Sequence, residues 1–544
     1  MKNKNQQIPQ DGIAGLKENF REDALSGFLV FLLALPLSLG IAQASDFPPI
    51  MGLMTAMIGG LFVSFLAGSP LTIKGPAAGL IVIVAGAVSE FGQGDAELGW
   101  KMALGAIFIA GIFQIVFGML KAGTIVDLFP LSAVHGMLAA IGIIIFSKQI
   151  HILMGVNPLN NEGKSIIEPF ELLSKIPETF GGLNVNASIV GGLSLIIILL
   201  WPRIRNKWLN KIPAPIAVLM IAIPAAKWLS IDNKYFIHFE HNLAETLAWD
   251  VDFRGLAQTA IFWKYVVMFA LVGSLESLLT VKAIDSLDPW KRRSNANKDL
   301  IGVGAGNAVA SVIGGLPMIS EVARSSANVN NGGRTRWANF FHGIFIMVFL
   351  ILDMEFNDII PKPALAAMLI GVAVKLASPK SFGEMAKIGT EQLIVFITTI
   401  VVTLATDLLI GIFAGVVVKF ITQLILGTPV GAVFKAHIHI KGNEVRVAGA
   451  AVFSNWIAIK RKLKKFDSSD TVIINLNYCN LVDYTVIDNL HHLRLEYEAN
   501  GGELVILGLD EFKFTGKHNH HHATRNRNKE DRHTLAELKK LMSE

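Results

Sequence analysis

Cysteine is almost missing. The single Cys479 permits no internal disulfide and leaves the redox compartment open. Charge is scarce too: 17% of the 544 residues are Asp, Glu, Lys or Arg, against about 25% in an ordinary soluble chain. Those residues thin out further from Ser26 to Leu426 and crowd both ends, which excludes a long soluble globule and marks a membrane body with polar appendages. The interleaved basic and aromatic patches of a nucleic-acid binder are missing, so the net charge of +5 reads as cytoplasmic loops rather than a nucleic-acid surface. No nucleophile elbow, HExxH or phosphate loop stands in a fitting context, which argues against an enzyme. The polar leader lacks a small-residue cleavage site, so the apolar run beginning near residue 24 is expected to be a retained span, not a signal peptide.

What fills the chain instead is apolar, 52% of it, with a mean hydropathy of +0.50. A bilayer core of about 30 Å needs roughly 20 mostly apolar helical residues per crossing. Long candidate spans lie near 24–44, 50–67, 98–120, 132–154, 186–202, 213–230, 261–281, 337–353, 363–377, 391–407 and 408–427. Shorter stretches at 76–91, 300–315 and 320–331 bring the expected count to 14. Three connections are basic: Arg203, Arg205, Lys207 and Lys211; Lys282, Lys291, Arg292, Arg293 and Lys298; Arg334 and Arg336. The alternate connections are acidic, with Asp95 and Glu97, then Asp250 and Asp252, then Asp353, Glu355 and Asp358. The positive-inside bias puts the basic loops in the cytoplasm, and an even number of crossings puts both termini there as well.

The character changes near Gly431. Strand-like runs Val433–Ile440 and Val445–Phe453 flank the turn signal Lys441-Gly442-Asn443. A helix over Ser454–Lys465, a buried strand Val472–Leu476, a helix Thr485–Asn500 closed by Gly501-Gly502, and a strand Glu503–Leu507 follow. That alternation implies a small α/β layer domain. The chain thus divides into a leader (1–22), a transmembrane domain (23–430), an α/β domain (431–515) and a polar tail (516–544) whose stretch from Arg532 to Met542 reads as a short charged helix. His518, His520, His521 and His522 in the tail suggest metal, but no Cys or carboxylate pattern completes a site, so a solvated tail is expected.

Two apolar stretches are interrupted. One is Thr72-Ile73-Lys74-Gly75-Pro76-Ala77-Ala78-Gly79; the other runs from Gly314-Gly315-Leu316-Pro317 to Ser320-Glu321-Val322-Ala323-Arg324. Lipid leaves no backbone N–H or C=O bare, so broken helices occur only where protein or a watery cavity satisfies them. Pro76 suits a first helical position and Ser320 an N-cap, so each segment is expected to start a half-helix in mid-membrane, its free N–H groups and dipole inviting an anion. Pro36 precedes Pro76 by 40 residues and Glu276 precedes Pro317 by 41. Interruptions at matching places in two halves point to a site between inverted repeats. The bland alternative is that Gly and Pro merely permit tight packing and a kink.

Glu276 lies well inside a span, where a carboxylate is costly and by default functional. Thr280, one turn on, faces the same side, so the two oxygens suit Na⁺, while a buried Glu alone suits proton carriage. The alternative is a structural Glu with a basic partner. Glu321 either complements the helix dipole or faces the cavity; Arg324 is its obvious partner and a candidate anion contact. Lys74 is expected to snorkel to the cytoplasmic surface.

These residues resemble the SulP anion-transporter family. The pattern stands here as Val272-Gly273, Leu275-Glu276-Ser277-Leu278-Leu279, Asp285, Arg292, Asn297, Asp299-Leu300-Ile301-Gly302, Asn307, Gly314-Gly315-Leu316-Pro317, Arg324-Ser325, Asn328, Gly332-Gly333-Arg334-Thr335 and His342. Leu35-Pro36, Ala42, Pro48-Pro49, Gly52-Leu53, Gly75-Pro76 and Thr406-Asp407-Leu408 with Gly411 complete it over nearly the whole chain. The resemblance implies a mainly α membrane protein of 14 segments in two inverted repeats of seven, core and gate domains, a homodimer, and a cytoplasmic STAS domain open to a cytoplasmic partner. It implies an anion held by Ala77 and Ala78 on the third segment and Ser320, Val322, Ala323 and Arg324 on the tenth, with Ile41 and Gln43 as neighbours. It also implies a coupling cation, Na⁺ or H⁺, at Glu276 and Thr280, with Glu321 favouring it; no other cofactor is expected. Ala77 lacks the hydroxyl some members offer, and Glu321 replaces a small residue. Leu481-Val482-Asp483-Tyr484-Thr485 resembles the Asp-Ser-Thr turn of STAS domains, but Tyr484 stands where the phosphorylated Ser would, so docking is expected, with Asp483 and Thr485 as a plain helix N-terminus. The anion stays open between sulfate, bicarbonate and chloride, and an uncoupled channel or exchanger, or a dicarboxylate or uracil carrier of the same architecture, are the rivals.

Overall fold

The computed structural model describes residues 8–544 except 159–165, 167, 205–211, 239–250, 258, 353–358, 429, 500, 515–523, 528–535, 538–539, 541 and 543–544. The chain forms two compact units, one built from residues 1–123 and 141–376 and the other from 124–140 and 377–544. The acidic residues Asp250, Asp353, Glu355 and Asp358, the basic Arg205, Lys207 and Lys211, the tail histidines and most of the charged tail helix lie outside the described residues.

In chain order the first unit holds α1 (Gly12–Ala44), α2 (Pro49–Leu61), α3 (Val63–Leu66), β1 (Ile73–Pro76), α4 (Ile81–Gly92) and α5 (Ala96–Met119). After most of α6 (Leu131–Leu153) come α7 (Pro169–Gly181), α8 (Val185–Leu200), α9 (Ala214–Trp228), α10 (Thr259–Leu287), α11 (Ala296–Val312), β2 (Met318–Glu321), α12 (Val322–Asn330), α13 (Trp337–Ile351) and α14 (Lys362–Leu376). The second unit continues with α15 (Pro379–Ile388), α16 (Thr390–Ala405), α17 (Leu408–Ile425) and α18 (Val430–Phe434). Every one of the expected apolar stretches holds a helix, and among the described residues eight helical stretches are long and apolar enough to cross a membrane, with four shorter apolar ones. Helices α7 and α15 were not foreseen, being too short and polar to read as spans.

Apolar side chains on nearly all faces let these helices bury against one another and still meet lipid. Leu37, Leu39, Leu53, Met54, Ile346, Leu365 and Met368 form one core. Small residues then set how closely helices approach: a methyl on Gly60 of α2 would collide with Gly343 of α13, so backbone meets backbone, the close packing favoured in membranes.

The second unit ends in a six-stranded mixed sheet formed by β3 (His437–Lys441), β4 (Glu444–Ala451), β5 (Thr471–Val482), β6 (Glu503–Leu507), β7 (Lys513–Phe514) and β8 (Arg525–Asn526), with helices α19 (Phe453–Leu463) and α20 (Tyr484–Ala499). β4 and β6 flank β5 in parallel, and β3 runs antiparallel to β4 through a turn with Gly442 at φ +61. β5 runs six residues past the expected Leu476, because Asn477 and Asn480 break the apolar run that the sequence displays. Val433 belongs to α18 rather than to the first strand, which begins at His437.

Trp456, Ile459, Ile474, Leu476, Val486 and Leu490 fill the core of this layer together with Cys479, whose thiol donates to Val447 O at 3.2 Å. Burial pushes that thiol's pKa up, so the reactive thiolate is doubly withheld. Native protein at pH 8 is expected to take up a maleimide at least about a hundredfold more slowly than denatured protein, a comparison read directly by mass spectrometry; equal rates would show this layer open.

Candidate ion-binding site

The two interrupted segments find each other. β1 and β2 pair antiparallel, with Ile73 opposite Glu321, Lys74 opposite Ser320, Gly75 opposite Ile319 and Pro76 opposite Met318. Each chain then turns into a helix: β1 passes through a tight turn at Ala78–Leu80 into α4, and β2 leads straight into α12. Pairing is what makes backbone outside a helix tolerable at this depth. Side chains satisfy what the strands cannot: Asn307 accepts from Met318 N at 2.6 Å and donates to Met318 O at 3.2 Å, and Thr55 donates to Leu316 O at 3.1 Å. Ser325 accepts from Ile73 N at 2.9 Å, and Asn339 accepts from Lys74 N at 3.3 Å.

Two details differ from the sequence reading. Pro76 closes β1 instead of opening a helix, so the first half-helix starts at Ala78. Ser320 lies within β2, and the N-cap of α12 is Glu321, whose carboxylate accepts from Arg324 N at 2.7 Å. The pairing with β1 extends β2 by one residue, and Glu321, next in line, takes over the cap.

Ala77, Ala78 and Ser320 are buried at the crossing. On α12, Val322 is 44% exposed, Ala323 is half-buried and Arg324 is fully buried. The Arg324 guanidinium lies over Gly75, where a methyl would collide with it. Among the described residues none of its three nitrogens has a hydrogen-bonding partner, and the Glu321 carboxylate stands 4.0 Å from Nε. Ile41 is buried and Gln43 half-buried at the end of α1, a helix that packs on β1 and α12.

Glu276 is buried on α10 with Thr280, also buried, one turn on. Both of its carboxylate oxygens lack a hydrogen-bonding partner among the described residues. They abut Gly79 in the turn before α4, where a side chain would strike them. Glu321, another carboxylate, bears on it electrostatically, and among the described residues no ion pair joins Glu276 to a base.

Lys74 does not snorkel. It is 1% exposed, and its ammonium lies 3.0 Å from Asp299 Oδ1 while also donating to Thr72 Oγ1. A buried counter-ion on α11 removes the reason to reach for water. Asp299, Ser277, Asn307 and Ser325 at the crossing were named only within a family pattern, and Thr55 and Asn339 not at all; a polar side chain at membrane depth was the signal available.

Residues 20–399 match the sulfate permease family. YvdB of Bacillus subtilis (strain 168), named as a candidate sulfate transporter, is 26% identical over 392 residues, covering 72% of this chain and 71% of its own. Bicarbonate transporter BicA of Picosynechococcus sp. is 24% identical over 399 residues, covering 72% and 67%. Among solved structures, the transmembrane domain of a cyanobacterial BicA superposes with a TM-score of 0.63 at 23% identity over 73% of this chain and 97% of that one. SLC26A9 superposes with a TM-score of 0.64 at 15% identity over 90% and 84%, so the likeness of fold reaches beyond the membrane helices. The chain belongs to the sulfate permease family of multi-pass membrane anion transporters.

Proposed function

We propose that the protein is a secondary active transporter of small inorganic anions of the sulfate or bicarbonate class, driven by Na⁺ or H⁺ and working by alternating access in the cell (inner) membrane. In this reading its fourteen segments form two inverted repeats, it works as a homodimer with cytoplasmic termini, and the C-terminal α/β layer is a STAS domain. The observation that carries the proposal is the β1–β2 crossing, from whose two ends α4 and α12 set out. Free N–H groups and two dipole ends then attract negative charge, with Ala77, Ala78, Ser320, Val322, Ala323 and Arg324 around the anion and Ile41 and Gln43 nearby.

Charge balance supports a coupling cation. Lys74 is matched by Asp299 and Arg324 stands against Glu321, which leaves Glu276 uncompensated among the described charges at the crossing. A buried carboxylate without a counter-charge is expensive, and a proton, or Na⁺ held with Thr280, relieves it. Neutralising Glu276 also removes a charge that would repel an anion, so cation first and anion second is the natural order.

Proteoliposomes supplied with labelled sulfate, bicarbonate or chloride at fixed pH, with and without an inward Na⁺ gradient and then with a pH gradient, test this. One anion is expected to accumulate only when a gradient is imposed. Flux indifferent to both gradients would make the protein a channel or exchanger, and no flux of any of the three would remove the inorganic-anion assignment.

A further inference from the structure

Asp299 has no part in the function proposed above, yet it is the most connected carboxylate at the crossing. It lies in the first turn of α11 with no exposed surface. Its two oxygens are divided between the two strands: Oδ1 takes the Lys74 ammonium of β1 at 3.0 Å, and Oδ2 takes the Ser320 hydroxyl of β2 at 2.9 Å. Lys74 and Ser320 stand directly opposite each other, so a single carboxylate clips both side chains of one cross-strand rung. The Ser277 hydroxyl also donates to Oδ2, at 3.4 Å, and accepts from Ser320 N at 3.1 Å. Ser277 follows Glu276 directly on α10.

We propose that Asp299 is a positioning residue that locks the Lys74–Ser320 rung and, through Ser277, the turn of α10 carrying Glu276, so that the anion half-sites and the cation carboxylate keep one register. A two-stranded ribbon of four residues a side is marginal by itself, and charge-assisted hydrogen bonds away from water are short, strong and directional. A buried ion pair earns little net stability over well-packed apolar groups, so its value here lies in specifying geometry. The inference rests on the transport reading for its functional half and on the strand pairing alone for its structural half.

The test uses full-length protein with Lys74→Met combined with Asp299→Leu, which removes both charges together, and separately Ser277→Ala, which keeps them. In the double variant, amide exchange in Ile73–Gly75 and Met318–Glu321 is expected to quicken at least about tenfold, and the cation concentration giving half-maximal uptake to rise about fivefold, the order of one lost buried hydrogen bond. Ser277→Ala is expected to raise the cation requirement by a similar factor, and Ser277→Thr, which keeps the hydroxyl, to restore most of it, a rescue that general loosening would not produce. It answers the question if the double variant fails to assemble. Wild-type exchange in both strands together with a wild-type cation requirement would overturn the proposal. Wild-type protein without cation-dependent uptake would sink the transport reading instead, while the exchange measurement still decides whether the clip exists.

Discussion

Glu276→Gln is expected to reduce gradient-driven anion uptake to the background of empty vesicles while the protein assembles normally. The side chain is buried, both oxygens lack hydrogen-bonding partners among the described residues, and the Glu321 carboxylate bears on it electrostatically. Replacing the carboxylate with an amide therefore breaks no protein hydrogen bond and removes an uncompensated charge, so stability should hold or rise. What is lost is the carboxylate that takes up a proton or ligates Na⁺ in this reading. Interactions of a charged group are worth about 1.5–3 kcal/mol each, which at 1.4 kcal/mol per decade is roughly ten- to hundredfold for each contact forfeited. Gly79→Ala attacks the same carboxylate from the other side, since its methyl would occupy the oxygens' place; it should share the coupling defect in milder form. Gradient-driven uptake by Glu276→Gln at more than about a third of the wild-type rate, a loss far below one decade, would remove Glu276 from the coupling step.

How far the sequence could be read depended on what kind of order each region uses. Most helices were announced by apolar runs because lipid demands them, though α11 and α12 are not among the apolar helical stretches, and the strand Glu503–Leu507 was legible to the residue. The broken segments were legible as broken. Their pairing as strands was not, because Ile73-Lys74-Gly75-Pro76 and Met318-Ile319-Ser320-Glu321 carry no alternation, and their partners lie more than two hundred residues away. That distance also misled the reading of Lys74, whose fate depends on Asp299 from another helix. Glu276 was visible because an isolated charge in an apolar run needs no partner to be conspicuous, whereas Ser277 beside it looks ordinary until its hydroxyl is seen bridging Asp299 and Ser320. The Asp483 turn, expected to be a helix N-terminus, is one: its Oδ1 accepts from Val486 N at 2.9 Å, and the Thr485 hydroxyl accepts from Leu131 N at 3.3 Å.

The same turn supplies the second large effect: Asp483→Leu should unfold the α/β layer at a markedly lower temperature, with Asp483→Asn much milder. Asp483 is completely buried, and its other oxygen accepts from Phe453 N and from the Gln423 amide, each at 2.9 Å. It thereby caps α20 while joining α19 and the end of α17. Leucine would leave Phe453 N and the Gln423 amide bare, at about 1–3 kcal/mol each, and Val486 N with the backbone carbonyl alone, a sizeable part of the 5–15 kcal/mol that holds a typical domain together. Charge works the other way. Burial raises the Asp483 pKa even though Lys419 and the three donors pull it down, so the folded state favours the protonated acid more than the unfolded chain does. A raised folded pKa contributes stability below the unfolded value, about 3.9, and loses it as pH rises through the folded value. At neutral pH the carboxylate is thus valued for its acceptor geometry and not for its charge. Asparagine keeps one acceptor oxygen and sheds the desolvated charge, which is why it should be tolerated better and should flatten this part of the pH profile. Melting curves and limited proteolysis of the two variants decide the matter: if Asn proves as damaging as Leu, the negative charge facing Lys419 is the anchor, and the acceptor argument fails.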